Sequence, residues 1–218
     1  MERTITITLE KAKEWYNSDN ESLKEVALQA FSKEELDIFD FTKIKTFEDA
    51  LLCFYKFQSD EYYSTIESVC RLRIVSMASA AMFQLNIIRK ALNLDQDLHL
   101  TKGPKDSHIY YPRNPFVTRS CAYYVQELNS HQMEIIGRIK SEGIEYNVLG
   151  GSAIVGNPAG LEDFNAVFDV GLANACLGFL GCASEEIAQH FGKYFGMLIT
   201  EAKYGDMVDF EIVENKYQ

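Results

Sequence analysis

Residues 64–93, STIESVCRLRIVSMASAAMFQLNIIRKALN, carry the reading that decides the fold. Ile66, Val69, Cys70, Ile74, Met77, Ala78, Ala81, Leu85, Ile88 and Leu92 recur at three- and four-residue steps, the period of one helix face. Unbroken, such a helix is about 45 Å long, with room for a single break. Ala78, Ala80 and Ala81 let a second helix approach closely, so this segment is expected to be the central core helix.

Upstream of it the texture is mostly helical. Residues 4–9 alternate Thr and Ile as a half-buried strand would. Leu9, Ala12 and Trp15-Tyr16 then set a helical rhythm, and Leu23, Val26, Ala27, Ala30 and Phe31 set another behind a cap at Asn20 or Ser22. Ser32-Lys33-Glu34-Glu35 has the spacing of a reciprocal helix cap and predicts a third, short helix, and Thr46-Phe47-Glu48-Asp49 reads as another helix start, with Phe47, Ala50, Leu51 and Phe54 as its apolar stripe.

Downstream the pattern changes. Residues 95–106 are polar with Gly103-Pro104 and read as a loop. Short strands are expected at 108–112, 116–124, 144–149, 152–155, 164–168 and 177–180, with a helix at 130–141 carrying Met133, Ile136, Gly137 and Ile139-Lys140. Ser184 caps a last helix that buries Ile187, Phe191, Tyr194-Phe195, Leu198 and Ile199, and residues 207–213 alternate as an edge strand. No strand–helix unit repeats, which excludes a doubly wound parallel sheet. The expected class is α+β: a mostly helical part over 1–95 packed on a mixed part over 96–218 with short antiparallel strands and a C-terminal helix, the two forming one compact unit.

Composition bounds the function. The 218 residues are 47% hydrophobic and 24% charged, which excludes a disordered chain, and the net charge is −11. Residues 1–63 carry −6 and 161–218 carry −7, while 64–160 carry +2. Neither acidic end suits a phosphate backbone, so direct nucleic-acid binding is not expected. Met1-Glu2-Arg3 leads into the Thr/Ile alternation without a leader's apolar core, and no apolar run is long enough to span a bilayer, so a cytoplasmic chain that binds no membrane is expected. Cys53, Cys70, Cys121, Cys176 and Cys182 are odd in number and lack C-x-x-C spacing, and read as buried free thiols in a reducing compartment.

Candidate chemistry is sparse. Gly151 and Gly156 have phosphate-loop spacing, but Asn157-Pro158 stand where Lys and a hydroxyl residue must follow, so a turn is expected and no cofactor. Cys182 lies two residues before the cap Ser184, where a helix N-terminus lowers a thiol's pKa, yet His190 is nearly two turns away along the helix; a packed thiol is favoured over a nucleophile, and Cys121 with His131 is weaker still. His99, His108, His131 and His190 show no metal-ligand spacing, Asp95 and Asp97 beside His99 suit a solvated loop, and Glu185-Glu186 suit the helix dipole. Tyr62-Tyr63, Tyr110-Tyr111 and Tyr123-Tyr124 are adjacent pairs; on strands one of each pair is buried and the other partly exposed, where tyrosine covers the edge of the core, the commoner case, or serves a protein interface.

Three stretches resemble an uncharacterised family of hypothetical proteins of gut Bacteroidales, often encoded near prophage or mobile-element genes. They are TLEKAKEWYN at 8–17 with LKEVALQAF at 23–31 and FTKIKTFEDA at 41–50; NIIRKALN at 86–93 leading to Tyr110-Tyr111-Pro112; and LGFL at 177–180 leading to SEEIA at 184–188, Phe191-Gly192-Lys193 and Phe195. The chain departs from that pattern over 116–175, which is longer, and at Cys182. The resemblance implies a phage or mobile-element setting and carries over no catalytic residue. Together these features lead to an expected non-enzymatic protein-interaction or structural module that presents tyrosines to itself or to a protein partner. The alternatives are a small cysteine-dependent hydrolase using Cys182 or Cys121, and an acidic inhibitor of a nucleic-acid-binding host protein.

Overall fold

The computed structural model describes residues 7–18, 20–33, 35–94, 109–114, 116–117, 133–156 and 180–217. The chain divides into two compact units, Met1–Asp40 and Phe41–Gln218. The boundary expected near residue 95 falls at the start of a stretch, 95–108, outside the described residues.

In the first unit, helix α1 (Leu9–Tyr16) starts where Thr8 accepts the Lys11 N–H, and α2 (Glu21–Ala30) where Asn20 accepts from Ser22 and Leu23. Their small residues meet: Ala12, Ala27 and Leu36 form a core under Ile7, Trp15, Tyr16, Phe31 and Ile38. The strand expected at 4–9 lies largely outside the described residues, and its last member, Leu9, opens α1. The helix expected from Ser32 does not propagate. Its reciprocal cap forms, with the Ser32 N–H donating to Glu35 at 2.8 Å and the Glu35 N–H to Ser32 Oγ at 3.3 Å. One turn later Asp37 takes φ 58° and the Ile38 N–H closes on Lys33 O, so the chain leaves the helical path after a single turn.

In the second unit, a 3₁₀ turn (Phe41–Lys43) precedes α3 (Phe47–Leu52), where the Thr46–Asp49 cap does start a helix. The long helical signal resolves into α4 (Asp60–Val75) and α5 (Met77–Leu92). Ser76 breaks it: its backbone is extended, its N–H caps the end of α4, and its hydroxyl accepts the Ser79 N–H to start α5. Helix α5 is the core helix, burying Ala80, Ala81, Leu85, Ile88, Ala91 and Leu92 against neighbours that include α6 (Glu185–Tyr204), itself capped by Ser184.

The strands are β1 (Ile109–Arg113), β2 (Phe116–Val117), β3 (Glu134–Ser141), β4 (Ile144–Gly150), β5 (Ser152–Gly156) and β6 (Glu211–Asn215). They pair antiparallel throughout, in a four-stranded sheet of order β2-β4-β3-β6 and a two-stranded sheet β1-β5. The fold is α+β. Residues 134–141, expected as part of a helix, form β3 instead. Register shifts at Ile135/Gly137 and at Arg138/Ile139 turn buried residues inward at Met133, Ile136 and Ile139, and this three-residue step imitates a helical period. Ile136, Ile139 and Val148 then pack with Met197 of α6. The side chain of Asn114 ties strand to helix, donating to Leu149 O at 3.0 Å and Gly192 O at 2.8 Å. The strand expected at 164–168 and most of those at 116–124 and 177–180 lie outside the described residues, and Leu180, the described end of the last, is in a 3₁₀ turn.

Candidate functional site

A thiol nucleophile must be reachable and must ionise. Cys182 meets neither condition. Its backbone is locked to Tyr110 by two hydrogen bonds of 2.8 and 3.1 Å, its side chain has no exposed surface, and its Sγ lies 3.4 Å from Leu180 O. Burial pushes the thiol up to about 12, against the opposing pull of an Asn93 hydrogen bond and the Arg89 charge. His190 is engaged elsewhere: Nε2 lies 2.7 Å from Ile44 O, and its ring packs on Phe41 and Tyr194. The expectation of buried thiols holds for Cys182 but not for Cys70, which is exposed on α4; Cys53 is intermediate. Cys121, Cys176, His99, His108, His131, Asp95 and Asp97 lie outside the described residues. Among the described residues no group of three His, Cys, Asp or Glu side chains is placed to hold a metal ion, and no helix is long and apolar enough to cross a membrane.

The tyrosine pairs separate. Tyr62-Tyr63 sits on α4, not on a strand, and successive residues there point about 100° apart. Tyr62 is buried and donates to Glu48 at 2.6 Å, a bond that lifts its phenol to about 12. Tyr63 is 53% exposed. Tyr110 is half-buried on β1, while the Tyr111 side chain, Tyr123 and Tyr124 fall outside what is described. Just before Tyr63 in the chain stands more apolar surface than the tyrosines alone suggest. Leu52 at the end of α3, and Phe54 and Phe57 between α3 and α4, are all exposed, Phe57 by 60%, and the Phe57, Tyr62 and Tyr63 rings succeed one another at 5.6 Å. Residues 52–63 thus form an aromatic ridge.

A second cluster is polar. Glu134 of β3 accepts from Lys193 of α6 at 2.6 Å, from Lys216 at 2.5 Å and from the Tyr217 hydroxyl at 2.7 Å. Its burial would raise its pKa, but these three bonds and the Lys193 charge bring it down to about 2. Beside it Lys45, Lys193 and Lys216 stand over the rings of Tyr194 and Tyr217, 5.1–5.8 Å from their centres. A shallow cleft of about 280 Å³ opens there between Phe41, Gly151, Glu186, Gln189 and His190. Sequence reasoning missed this cluster, although a signal was present: each of the three basic residues in 161–218 (Lys193, Lys203 and Lys216) is followed by Tyr. Glu134 is fully paired by these bonds, so the cluster's chemistry is that of a staple between α6, β3 and the C-terminal segment. Compared with known proteins, the chain matches no family model, no curated protein and no solved structure.

Proposed function

We propose that this chain is a non-enzymatic, cytoplasmic protein-interaction module that engages a protein partner through the ridge at Leu52, Phe54, Phe57 and Tyr63. The observation that carries the reading is the contrast between two sets of side chains. Large apolar and aromatic groups stand in water close together on 52–63, whereas the thiol of Cys182 is enclosed and Glu134 is fully paired. Each ring that moves from water into an interface gains about 1.5–3 kcal/mol, and aromatic anchors carry most of the energy of protein interfaces. The likeness of residues 8–17, 23–31 and 41–50 to a family encoded near prophage genes supports a phage or mobile-element setting for that partner.

The test is capture from host lysate by the full chain and by Phe57→Asp and Tyr63→Asp variants of unchanged circular dichroism. A protein retained by the parent and lost from both variants is the expected result. Equal retention by parent and variants removes the ridge from the interaction and overturns the reading.

A further inference from the structure

We infer that the outward face of α4 pairs with the same face of a second copy of this chain, antiparallel about a two-fold axis that passes between Glu67 and Arg71. This rests on the interaction reading above and names a partner for the surface that continues from Tyr63 along α4. Helix α4 buries only Tyr62 and Val69. On its other side Tyr63, Glu67, Cys70 and Ile74 recur four, three and four residues apart, the spacing of a helix-pairing seam. The seam is apolar where a core helix would be and wet where a partner is missing: Tyr63 is 53% exposed, Cys70 is exposed, and Ile74 and the next residue, Val75, are each 86% exposed.

Charge selects the occupant. Glu67 and Arg71 form an exposed ion pair at 2.5 Å along this face. In an antiparallel pair about that axis, Glu67 of each copy faces Arg71 of the other. A parallel pair stacks like on like. A partner of one charge sign meets repulsion from Glu67 or from Arg71, whereas a second copy satisfies both. The residues of α4 carry only −1 of the chain's −11, so the approach of two copies here avoids most of the repulsion between them. From Tyr63 to Ile74 the seam is about 17 Å long, some three helical turns, and fits a dimer that forms reversibly with concentration.

The experiment is light scattering of the full chain over a concentration series. The expected result is a monomer that becomes a dimer, with association weakened about tenfold or more by Ile74→Asp, by Glu67→Arg and by Arg71→Glu. The double reversal Glu67→Arg with Arg71→Glu, which restores the mirrored charges, is expected to recover it, as is an equal mixture of the two single charge variants. A short thiol crosslinker joins two copies of the parent but not of Cys70→Ser. Monomer mass at every concentration overturns the inference, as does a dimer indifferent to residues 67, 71 and 74 or one disturbed only by Phe57→Asp. A strict monomer that still loses a captured partner on Phe57→Asp sinks the α4 pairing and leaves the ridge reading intact.

Discussion

The carboxylate of Glu134 on β3 lies 2.6 Å from the ammonium of Lys193 on α6, so one ion pair joins the sheet to the helix that covers it. Lys216 and Tyr217 close on the same carboxylate from the segment after β6. These bonds hold the ionised form, with Glu134 at about 2 against an ordinary 4.5. A carboxyl lowered in the folded state contributes stability above its unfolded value and loses it as pH falls through the folded one. The loss therefore falls between about pH 4.5 and pH 2. Because the group is partly open to solvent, screening limits the contribution to roughly 1 kcal/mol. Glu134→Gln is expected to lower stability by about that much at pH 7 and to flatten the acid limb, read by urea unfolding at several pH values. Parallel pH profiles for the parent and the variant overturn this role.

The thiols differ in access and in ionisation. Cys70 is exposed, Cys53 is intermediate with its pKa raised by burial and then by Asp49, and Cys182 is enclosed at about 12. Alkylation near neutral pH, followed by peptide mass mapping, is expected to modify Cys70 first, Cys53 more slowly, and Cys182 only on unfolding. Modification of native Cys182 ahead of Cys70 would revive the hydrolase alternative.

Two glycines are needed for different reasons. In the two-residue turn between β3 and β4, Glu142 and Gly143 have φ 51° and 80°, and a Cβ at Gly143 meets nothing. Gly143→Ala is expected to cost about 1 kcal/mol from backbone conformation alone, and Gly143→Asn less, because Asn tolerates that region. At Gly196 the limit is space: a Cβ there runs into Asn114 and Ile136, where α6 presses on the sheet. Gly196→Ala is expected to cost about 1–3 kcal/mol in denaturant titrations, with Gly196→Asn worse still. Equal responses of the two sites to Asn would refute the distinction.

Local signals in the sequence succeeded where their cause is local. Thr46 and Asp49 cap α3, and Ser184 caps α6, because a hydroxyl reaches an N–H three residues away whatever the rest of the chain does. The single break for which 64–93 left room falls at Ser76, a position the sequence reading did not assign. At Ser32 the cap formed and the helix did not, since nothing after Asp37 prolongs it. At 134–141 the inward spacing of three came from strand irregularities that only pairing with β4 and β6 creates. The aromatic ridge was half legible through Tyr62-Tyr63. The Glu134 cluster left only its Lys-Tyr steps as a trace, because it joins residues 134, 193 and 216, whose proximity is a property of the assembled sheet and helix.

Glu201 shows the reverse electrostatics. It lies near the C-terminal end of α6 with its side chain 5% exposed, 2.7 Å from Arg73, whose side chain is half exposed. Burial raises its pKa, and Arg73 only partly offsets that. An acid raised in the folded state costs stability while ionised, and the cost disappears once pH falls below its unfolded value of about 4.3. Glu201→Gln keeps the shape and an oxygen that can accept from Arg73 while removing the charge, so it is expected to be neutral or stabilising by up to about 1 kcal/mol at pH 7. The gain should vanish below about pH 4, where Glu201 itself is protonated. Glu201→Ala removes the oxygen as well and opens space beneath Arg73, and is expected to destabilise at every pH. A clear loss of stability for Glu201→Gln at pH 7, growing as pH rises, would mean that the ion pair with Arg73 outweighs the burial of the carboxylate.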